Sequence, residues 1–222
     1  MATVIFDLDG TLADTSRDLI AAANACFIRL GASPVLDPEA DASVAFRGGR
    51  AMLRLGFARL GQAGDESAVD REYPHLLDHY GAHIDVHTAL YPGAAEAVAA
   101  LRDAGVRTGI CTNKPEGLAV ALIDRLGVTH LFDSLVGADT LPVRKPDPAP
   151  YLAAVDRAGG ARGRSVLIGD TVTDRDTARA AGVPCVLVTF GPDGRSVADL
   201  APEALLDGYG ELHRVVAPLI GA

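Results

Sequence analysis

The sequence has few cysteines and no long apolar run, and each shortage excludes a class of protein. Its three cysteines, Cys26, Cys111 and Cys185, are far apart and lack paired spacing. We therefore expect buried thiols rather than a disulfide framework or a zinc knuckle. The apolar run 183–190 contains Pro184 and is far shorter than the ~20 residues needed to span a bilayer.

The chain also lacks an excess of positive charge. Its 222 residues carry a net charge of −9, which argues against a nucleic acid partner because nonspecific binding relies on Lys and Arg that neutralise phosphates. A small anionic substrate is still allowed, since it responds to the local site. The first residues lack the basic segment and apolar run of a signal peptide. We therefore expect a cytoplasmic protein, a monomer or homodimer, without membrane or nucleic acid partners.

Lysine is nearly absent from the sequence. Only Lys114 and Lys145 are lysines among the 20 basic residues. Either these two positions need a compact ammonium rather than the planar fork of arginine, or they are chance survivors in an arginine-rich chain. The composition alone does not decide between the two explanations.

Hydrophobic periodicity divides the chain into a helical part and an alternating part. After the apolar strand 3–6 the patterns are mostly helical, and from residue 91 helices and strands alternate, which favours a doubly wound parallel sheet. We predict an α/β fold with a Rossmann-like catalytic core, 1–13 and 90–222, and an all-helical cap, 14–89, inserted after the first strand. Ser16 is the expected N-cap of the first helix. The expected helices are 16–30, 51–60, 68–83, 94–104, 116–126, 150–158 and 174–181, and the further expected strands are 107–111, 134–136, 165–168 and 184–189.

Polar motifs follow four of the predicted strands, where open α/β sheets place their ligand sites. The first is Asp-Leu-Asp-Gly-Thr, in which Asp7 and Asp9 are two residues apart and point the same way in an extended chain. Two carboxylates at a strand end favour a hard divalent cation such as Mg²⁺. A lone Asp-x-Asp is also common in acidic turns, so this motif needs support from the others.

The other three motifs supply that support. Thr-Asn-Lys-Pro offers the Thr112 hydroxyl and the Asn113 amide as donors to phosphate oxygens. Lys-Pro-Asp-Pro fixes the backbone around the ammonium of Lys145. In Gly-Asp-Thr-Val-Thr-Asp, Asp170 can complete a metal site and Asp174 can cap the next helix or orient its neighbours. Each motif is weak by itself, but their order and their positions at strand ends together indicate one site.

With these four motifs, the chain resembles the haloacid dehalogenase-like hydrolase superfamily over essentially its whole length, in the branch with a helical cap after the first strand. The resemblance implies that Asp7 is the nucleophile, which forms an aspartyl-phosphate, and that Asp9 is the general acid and base. Dehalogenase members lack the second acid, so Asp9 favours a phosphatase.

The resemblance also implies the remaining site residues. Thr112 and Lys145 would contact the phosphate. Mg²⁺ would be held by the side chain of Asp7, the backbone carbonyl of Asp9 and Asp170, with Asp174 in support.

Within the superfamily, the Thr-Asn-Lys-Pro motif, the cap length and Tyr-Pro-Gly at 91–93 most resemble phosphoglycolate phosphatases, so 2-phosphoglycolate is the expected substrate. Those proteins usually show Gly-x-Gly in the cap loop, where this chain has Arg47 in place of the first glycine. A sugar-phosphate phosphatase or phosphomutase shares the first motif and remains an alternative. A non-catalytic phosphate-binding regulatory protein would be expected to lose an acid or the lysine, and neither is lost.

Two features of the predicted cap allow two explanations each. Arg47 and Arg50 flank a pair of glycines, and either could bind a substrate carboxylate or lie exposed in a turn between helices. Histidines recur every four residues, a spacing that drifts around a helix, so we expect a solvated face rather than a zinc site. These histidines are His75, His79, His83 and His87.

Overall fold

The computed structural model describes residues 1–221, and its centre is a six-stranded parallel sheet. The strands of the sheet are β1 (Thr3–Phe6), β4 (Arg107–Cys111), β5 (Ser134–Val136), β6 (Ser165–Gly169), β7 (Cys185–Val188) and β8 (Ala204–Leu206). They follow the order β5-β4-β1-β6-β7-β8. The predicted α/β fold with a doubly wound parallel sheet is therefore confirmed.

The remaining elements are helices and one short ribbon. β2 (Ala13–Asp14) and β3 (Ala89–Leu90) form a separate two-stranded sheet. None of the helices within residues 1–221 combines the length and the apolar composition needed to cross a bilayer. The helices are α1 (Ser16–Arg29), α2 (Ala42–Ala45), α3 (Gly49–Arg59), α4 (Glu66–Ala82), α5 (Ala94–Asp103), α6 (Glu116–Arg125), α7 (Ala149–Arg157), α8 (Val172–Ala181) and α9 (Leu212–Ile220).

The sheet changes direction at β1, which lies between β4 and β6. The chain builds β4 and β5 on one side of β1 and then returns to build β6, β7 and β8 on the other. Phe6 is in register with both Ile110 and Ile168, so the loops after the three central strands leave the sheet at the same edge. This is the switch point at which open α/β sheets bind their ligands.

The strands are buried because helices cover the sheet. All residues of β1, β6 and β7 are buried, as expected for parallel strands that read as continuous apolar runs. Tyr151 and Val155 of α7 belong to a core cluster with Ile5 and Leu167 of the sheet. This packing gives the site a rigid base.

The chain divides into two compact units. One consists of Met1–Asp14 together with the residues from Leu90 onward, and the other is Thr15–Ala89. In the second unit, which is mostly helical, α1 and α3 both pack against α4. A guanidinium nitrogen of Arg29 lies 2.5 and 2.6 Å from the two carboxylate oxygens of the fully buried Glu72, which joins α1 to α4.

One local prediction in this unit was wrong. The residue that precedes α1 is Thr15, and Ser16 is the first helical residue rather than the N-cap. The stretch from Arg47 to Arg50 begins in the turn between α2 and α3, and Arg50 is already helical because α3 begins at Gly49. Gly48 makes the turn with a φ of 91°, a conformation that favours glycine.

Candidate active site

Asp7 follows β1 directly and lies at the centre of the predicted site. Its backbone N–H donates to the carbonyl of Ile168, which continues the sheet one residue beyond the strand, and its Oδ1 accepts a 2.8 Å hydrogen bond from the N–H of Leu8. Burial raises the pKa of Asp7 to about 6, with further contributions from the charges of Asp174 and Asp9. The sheet thus fixes a carboxylate in a place that disfavours its charge unless cations are near.

Lys145 supplies one such cation. Its Nζ lies 3.0 Å from Oδ1 of Asp7 and 2.6 Å from Oδ1 of Asp174, and its side chain is 1% exposed. Burial acts to lower the pKa of Lys145, but the charges of Asp174 and Asp7 outweigh it and raise that pKa. The ammonium is therefore charged and shared between two acids.

Three of the predicted acids form a cluster. One carboxylate oxygen from each of Asp7, Asp170 and Asp174 lies within 4.8 Å of the others. In the part of the chain that the structure describes, Oδ2 of Asp170 is buried without a hydrogen-bond partner. Burial and the nearby charges of Asp174 and Asp7 raise the pKa of Asp170. An orphaned carboxylate oxygen among all-oxygen donors fits Mg²⁺, which prefers such ligands.

Asp170 is held on its other oxygen by a chain of two hydrogen bonds. The hydroxyl of Thr11 donates to Oδ1 of Asp170 at 3.0 Å. The carbonyl of Thr11 in turn accepts a 2.8 Å bond from the phenol of Tyr209, which is buried. Asp170 therefore presents one satisfied oxygen and one available oxygen. The sequence analysis did not identify Thr11 or Tyr209 as site residues.

Asp174 supports the site as part of a helix cap. Its carboxylate and the side chain of Thr171 form a capping box at the start of α8, and its Oδ2 also accepts from the N–H of Asp170. A Cβ at Gly169 would lie 2.2 Å from Cγ of Asp174, so the strand end needs glycine to admit this carboxylate. The N-cap itself is Thr171, and Asp174 occupies the third helical position.

The Thr-Asn-Lys-Pro motif lies at the end of β4. The backbone N–H of Thr112 bonds the carbonyl of Val136, which extends the sheet, and the Thr112 hydroxyl accepts from the N–H of Lys114. This leaves the proton of the hydroxyl for an incoming oxygen. The amide of Asn113 donates to the carbonyl of Lys145 at 3.1 Å, so its side chain joins two of the motifs.

Asp9 is engaged by a residue that the sequence analysis did not assign to the site. Its two carboxylate oxygens lie 2.9 and 3.1 Å from Nζ of Lys114. The cluster of three carboxylates described above does not include Asp9. Two signals in the sequence pointed to Lys114: its place in the Thr-Asn-Lys-Pro motif and the scarcity of lysine, since both lysines contact acids of the first motif.

The two predicted arginines of the helical unit differ in their surroundings. Arg50 forms an ion pair with Asp70 and lies over the ring of Tyr73, 4.5 Å from its centre. Arg47 is exposed and makes no ion pair within residues 1–221.

The remaining features noted in the sequence are the row of histidines and the three cysteines. The rings of His79 and His83 stack 4.4 Å apart, and no metal-binding group among residues 1–221 includes a histidine. His75 and His87 are exposed. The expected buried thiols are confirmed, because all three cysteines are free and buried.

Known proteins resemble this chain in sequence over most of its length. A model of the haloacid dehalogenase-like hydrolase family matches residues 1–182. A phosphoglycolate phosphatase of Agrobacterium fabrum is 37% identical over 208 residues, which cover 94% of this chain and 89% of the relative. A phosphoglycolate phosphatase of Caulobacter vibrioides is 36% identical over 219 residues, or 99% and 92% of the two chains.

Solved structures share the fold. A "predicted phosphoglycolate phosphatase" from Haemophilus somnus superposes with a TM-score of 0.85 at 22% identity, covering 97% of each chain. A "predicted phosphatase" from Clostridium acetobutylicum superposes with a TM-score of 0.79 at 21% identity, covering 99% of this chain and 100% of the other. At these identities the likeness shows the fold alone.

Proposed function

This chain belongs to the haloacid dehalogenase-like hydrolase family, and on that premise we propose that it is a phosphatase that hydrolyses 2-phosphoglycolate through an aspartyl-phosphate on Asp7. One observation carries the proposal: Asp7 lies at the switch point of the sheet, 3.0 Å from Lys145 and within the acid cluster that contains Asp170. Relatives named phosphoglycolate phosphatase, 36–37% identical over nearly the whole chain, support this choice of substrate.

Repulsion between two negative groups opposes the first step of the proposed reaction. A carboxylate that approaches a phosphate dianion at 4 Å meets a repulsion of roughly 8 kcal/mol at an effective dielectric constant of 20. The buried ammonium of Lys145 offsets part of this repulsion from the position where it contacts Asp7. Such preorganised charge is usually the largest contribution to catalysis of this kind.

Magnesium is the expected second cation. Asp7 and Asp170 would hold it with their carboxylates and Asp9 with its backbone carbonyl, while Asp174 orients its neighbours through the capping box and Lys145. When bound, Mg²⁺ supplies Lewis-acid stabilisation of the charge that develops on the phosphoryl oxygens.

Different residues of the site carry out the different steps of the proposed reaction. The carboxylate of Asp7 attacks phosphorus while the bond to the ester oxygen breaks, and Asp9 gives that oxygen its proton. Asp9 then takes a proton from the water that hydrolyses the aspartyl-phosphate. The hydroxyl of Thr112, buried and held from the N–H of Lys114, donates to a phosphate oxygen and helps to orient the group in both steps.

The proposal is tested by a substrate panel. The purified protein with Mg²⁺ is assayed against 2-phosphoglycolate, sugar phosphates and other small phosphate esters, with Asp7→Asn as the inactive control. We expect the highest kcat/KM for 2-phosphoglycolate. Preference for a sugar phosphate would refute the proposed substrate, and phosphate release by the control would refute the covalent mechanism.

The cellular setting and assembly stay predictions. We propose that the protein works in the cytoplasm as a monomer or homodimer on a small phosphorylated metabolite. Cell fractionation and light scattering of the purified protein test these two points.

A further inference from the structure

Lys114 makes a contact that the family assignment does not explain. Its ammonium bonds both carboxylate oxygens of Asp9, at 2.9 and 3.1 Å. The Lys114 side chain is 3% exposed, whereas that of Asp9 is 18% exposed. A buried cation thus holds a carboxylate that is itself partly exposed.

The backbone around Lys114 is fixed on both sides. Its N–H donates to the hydroxyl of Thr112 at 3.1 Å, and its carbonyl accepts from the N–H of Ala138 at 2.9 Å. The strand β4 and the loop after β5 therefore determine where the ammonium lies. Since two contacts to one carboxylate restrict its rotation, the position of Lys114 determines the orientation of Asp9.

The two lysines of the chain engage different acids. Lys145 contacts Asp7 and Asp174, and Lys114 contacts Asp9. A general acid works only when its proton lies within hydrogen-bond reach of the leaving oxygen, and small errors in such placement are costly. Asp9 therefore needs a contact of its own that fixes the orientation of its carboxylate. Lys114 provides one, because its ammonium contacts both carboxylate oxygens.

We propose that Lys114 is a positioning residue for Asp9. Its ammonium fixes the orientation of the Asp9 carboxyl group, which in its protonated form gives its proton to the leaving oxygen and is left as the carboxylate. The inference rests on the proposed function, in which the carboxylate of Asp7 attacks phosphorus and the ester bond breaks with its electron pair on the leaving oxygen. That oxygen takes the proton of Asp9. A leaving group that is stable as an anion departs without this proton, so the contribution of Lys114 must depend on the leaving group.

The test compares esters with poor and good leaving groups. Values of kcat/KM, which report on steps up to the departure of the leaving group, are measured for Lys114→Met on 2-phosphoglycolate, glycerol 3-phosphate and 4-nitrophenyl phosphate. We expect a loss of roughly 10- to 100-fold on the two alkyl esters and of no more than about threefold on the aryl ester. Equal losses on alkyl and aryl esters, or no loss, would overturn the inference.

Controls separate this role from general stability. Arg102→Met breaks a different partly buried ion pair, the one between Arg102 and Asp133. This variant is expected to be less stable, but the ratio of its kcat/KM values on alkyl and aryl esters should not change. Asp9→Asn should show the same leaving-group pattern as Lys114→Met. The double variant should be no worse than Asp9→Asn alone, and additive losses would contradict the proposal.

A variant that does not fold and a wild type that does not hydrolyse 2-phosphoglycolate would each need a separate interpretation. If Lys114→Met does not fold, Lys114→Gln is measured instead, because its amide can still donate to Asp9. Its kcat/KM should again fall more on the alkyl esters than on the aryl ester, but by a smaller factor. If the wild type hydrolyses glycerol 3-phosphate but not 2-phosphoglycolate, the proposed substrate is wrong, and the role of Lys114 is decided on glycerol 3-phosphate.

Discussion

Lys145 and Asp174 form a fully buried ion pair, with Nζ 2.6 Å from Oδ1 and side-chain exposures of 1% and 0%. The same ammonium lies 3.0 Å from Asp7. Removing one member of a buried pair leaves an uncompensated charge, which costs about 3–5 kcal/mol. The pair is thus both a structural element and the means by which a cation is placed beside Asp7, the proposed nucleophile.

Lys145→Arg is expected to impair catalysis severely although it keeps the charge. The guanidinium is larger and directs its donors as a planar fork, which does not match two carboxylates arranged around a single nitrogen. We expect kcat/KM to fall about a hundredfold or more. Arg102→Lys, a charge-preserving change at another ion pair of the core, is the matched control. Near wild-type efficiency of Lys145→Arg would mean that charge alone suffices.

Asp7→Asn is expected to abolish turnover and preserve the fold. The amide keeps the shape of the side chain but cannot attack phosphorus. Because burial and two neighbouring acids raise the pKa of Asp7 from its ordinary value to about 6, the ionised carboxylate present at neutral pH destabilises the folded metal-free protein relative to the unfolded chain. The variant should therefore melt at the wild-type temperature or above it. A lower melting temperature in metal-free buffer would contradict this explanation.

Magnesium is expected to be required for activity and to stabilise the protein. Activity should vanish with a chelator, and Mg²⁺ should raise the melting temperature because a ligand at 100 times its Kd adds about 2.7 kcal/mol to the stability of the native state. Asp170→Asn should abolish that shift, since Asp170 offers the orphaned oxygen. Full activity in metal-stripped buffer would rule out the metal site.

Tyr209→Phe is expected to weaken Mg²⁺ binding although Tyr209 is not itself a ligand. Its phenol bonds the carbonyl of Thr11, whose hydroxyl bonds Asp170, so its loss loosens a metal ligand. A neutral hydrogen bond contributes about 1 kcal/mol, and we expect the Kd for Mg²⁺, measured by calorimetry, to rise about three- to tenfold. Tyr151→Phe is the matched control.

The control removes a similar bond at another place. The phenol of Tyr151 is buried and donates to Ser165 at the start of β6, the end of that strand opposite Asp170. Both variants should lose some stability. If they change the Kd for Mg²⁺ equally, the effect of Tyr209 is general loosening and not support of Asp170.

Sequence patterns predicted the centre of the fold well. The strands 3–6, 107–111 and 134–136 match β1, β4 and β5 residue for residue. Parallel strands buried on both faces are short apolar runs, and here polar motifs mark their ends. The same motifs lie at one edge of the sheet because the register of β1 with β4 and β6 aligns the ends of the three strands.

Contacts between distant residues could not be predicted in this way. Asp9 and Lys114 are 105 positions apart, and Thr11 and Tyr209 are 198 apart, so no local period connects them. β8 and α9 were not predicted either. α9 contains Pro218, and a proline usually argues against a helix interior. The helix forms nevertheless, because its residues Leu212, Val216 and Ile220 are buried.

Arg47 is expected to set substrate preference, and the structure distinguishes it from Arg50. We expected either arginine to bind the carboxylate of 2-phosphoglycolate. Arg50 is already engaged by Asp70 and by the ring of Tyr73, whereas Arg47 is exposed and makes no ion pair within residues 1–221. A guanidinium that binds a carboxylate in place of water contributes about 1.5–3 kcal/mol. Its loss should lower kcat/KM roughly ten- to hundredfold.

The measurement compares Arg47→Ala and Arg50→Ala on 2-phosphoglycolate and on 4-nitrophenyl phosphate, which has no carboxylate. Arg47→Ala should lose efficiency on the first ester and keep it on the second, because only the first offers a partner for the guanidinium. Arg50→Ala serves as the matched control and should lower the stability of the helical unit without changing the ratio of the two efficiencies. If Arg47→Ala loses equally on both esters, or on neither, this arginine does not recognise the substrate and the preference must come from elsewhere in the chain.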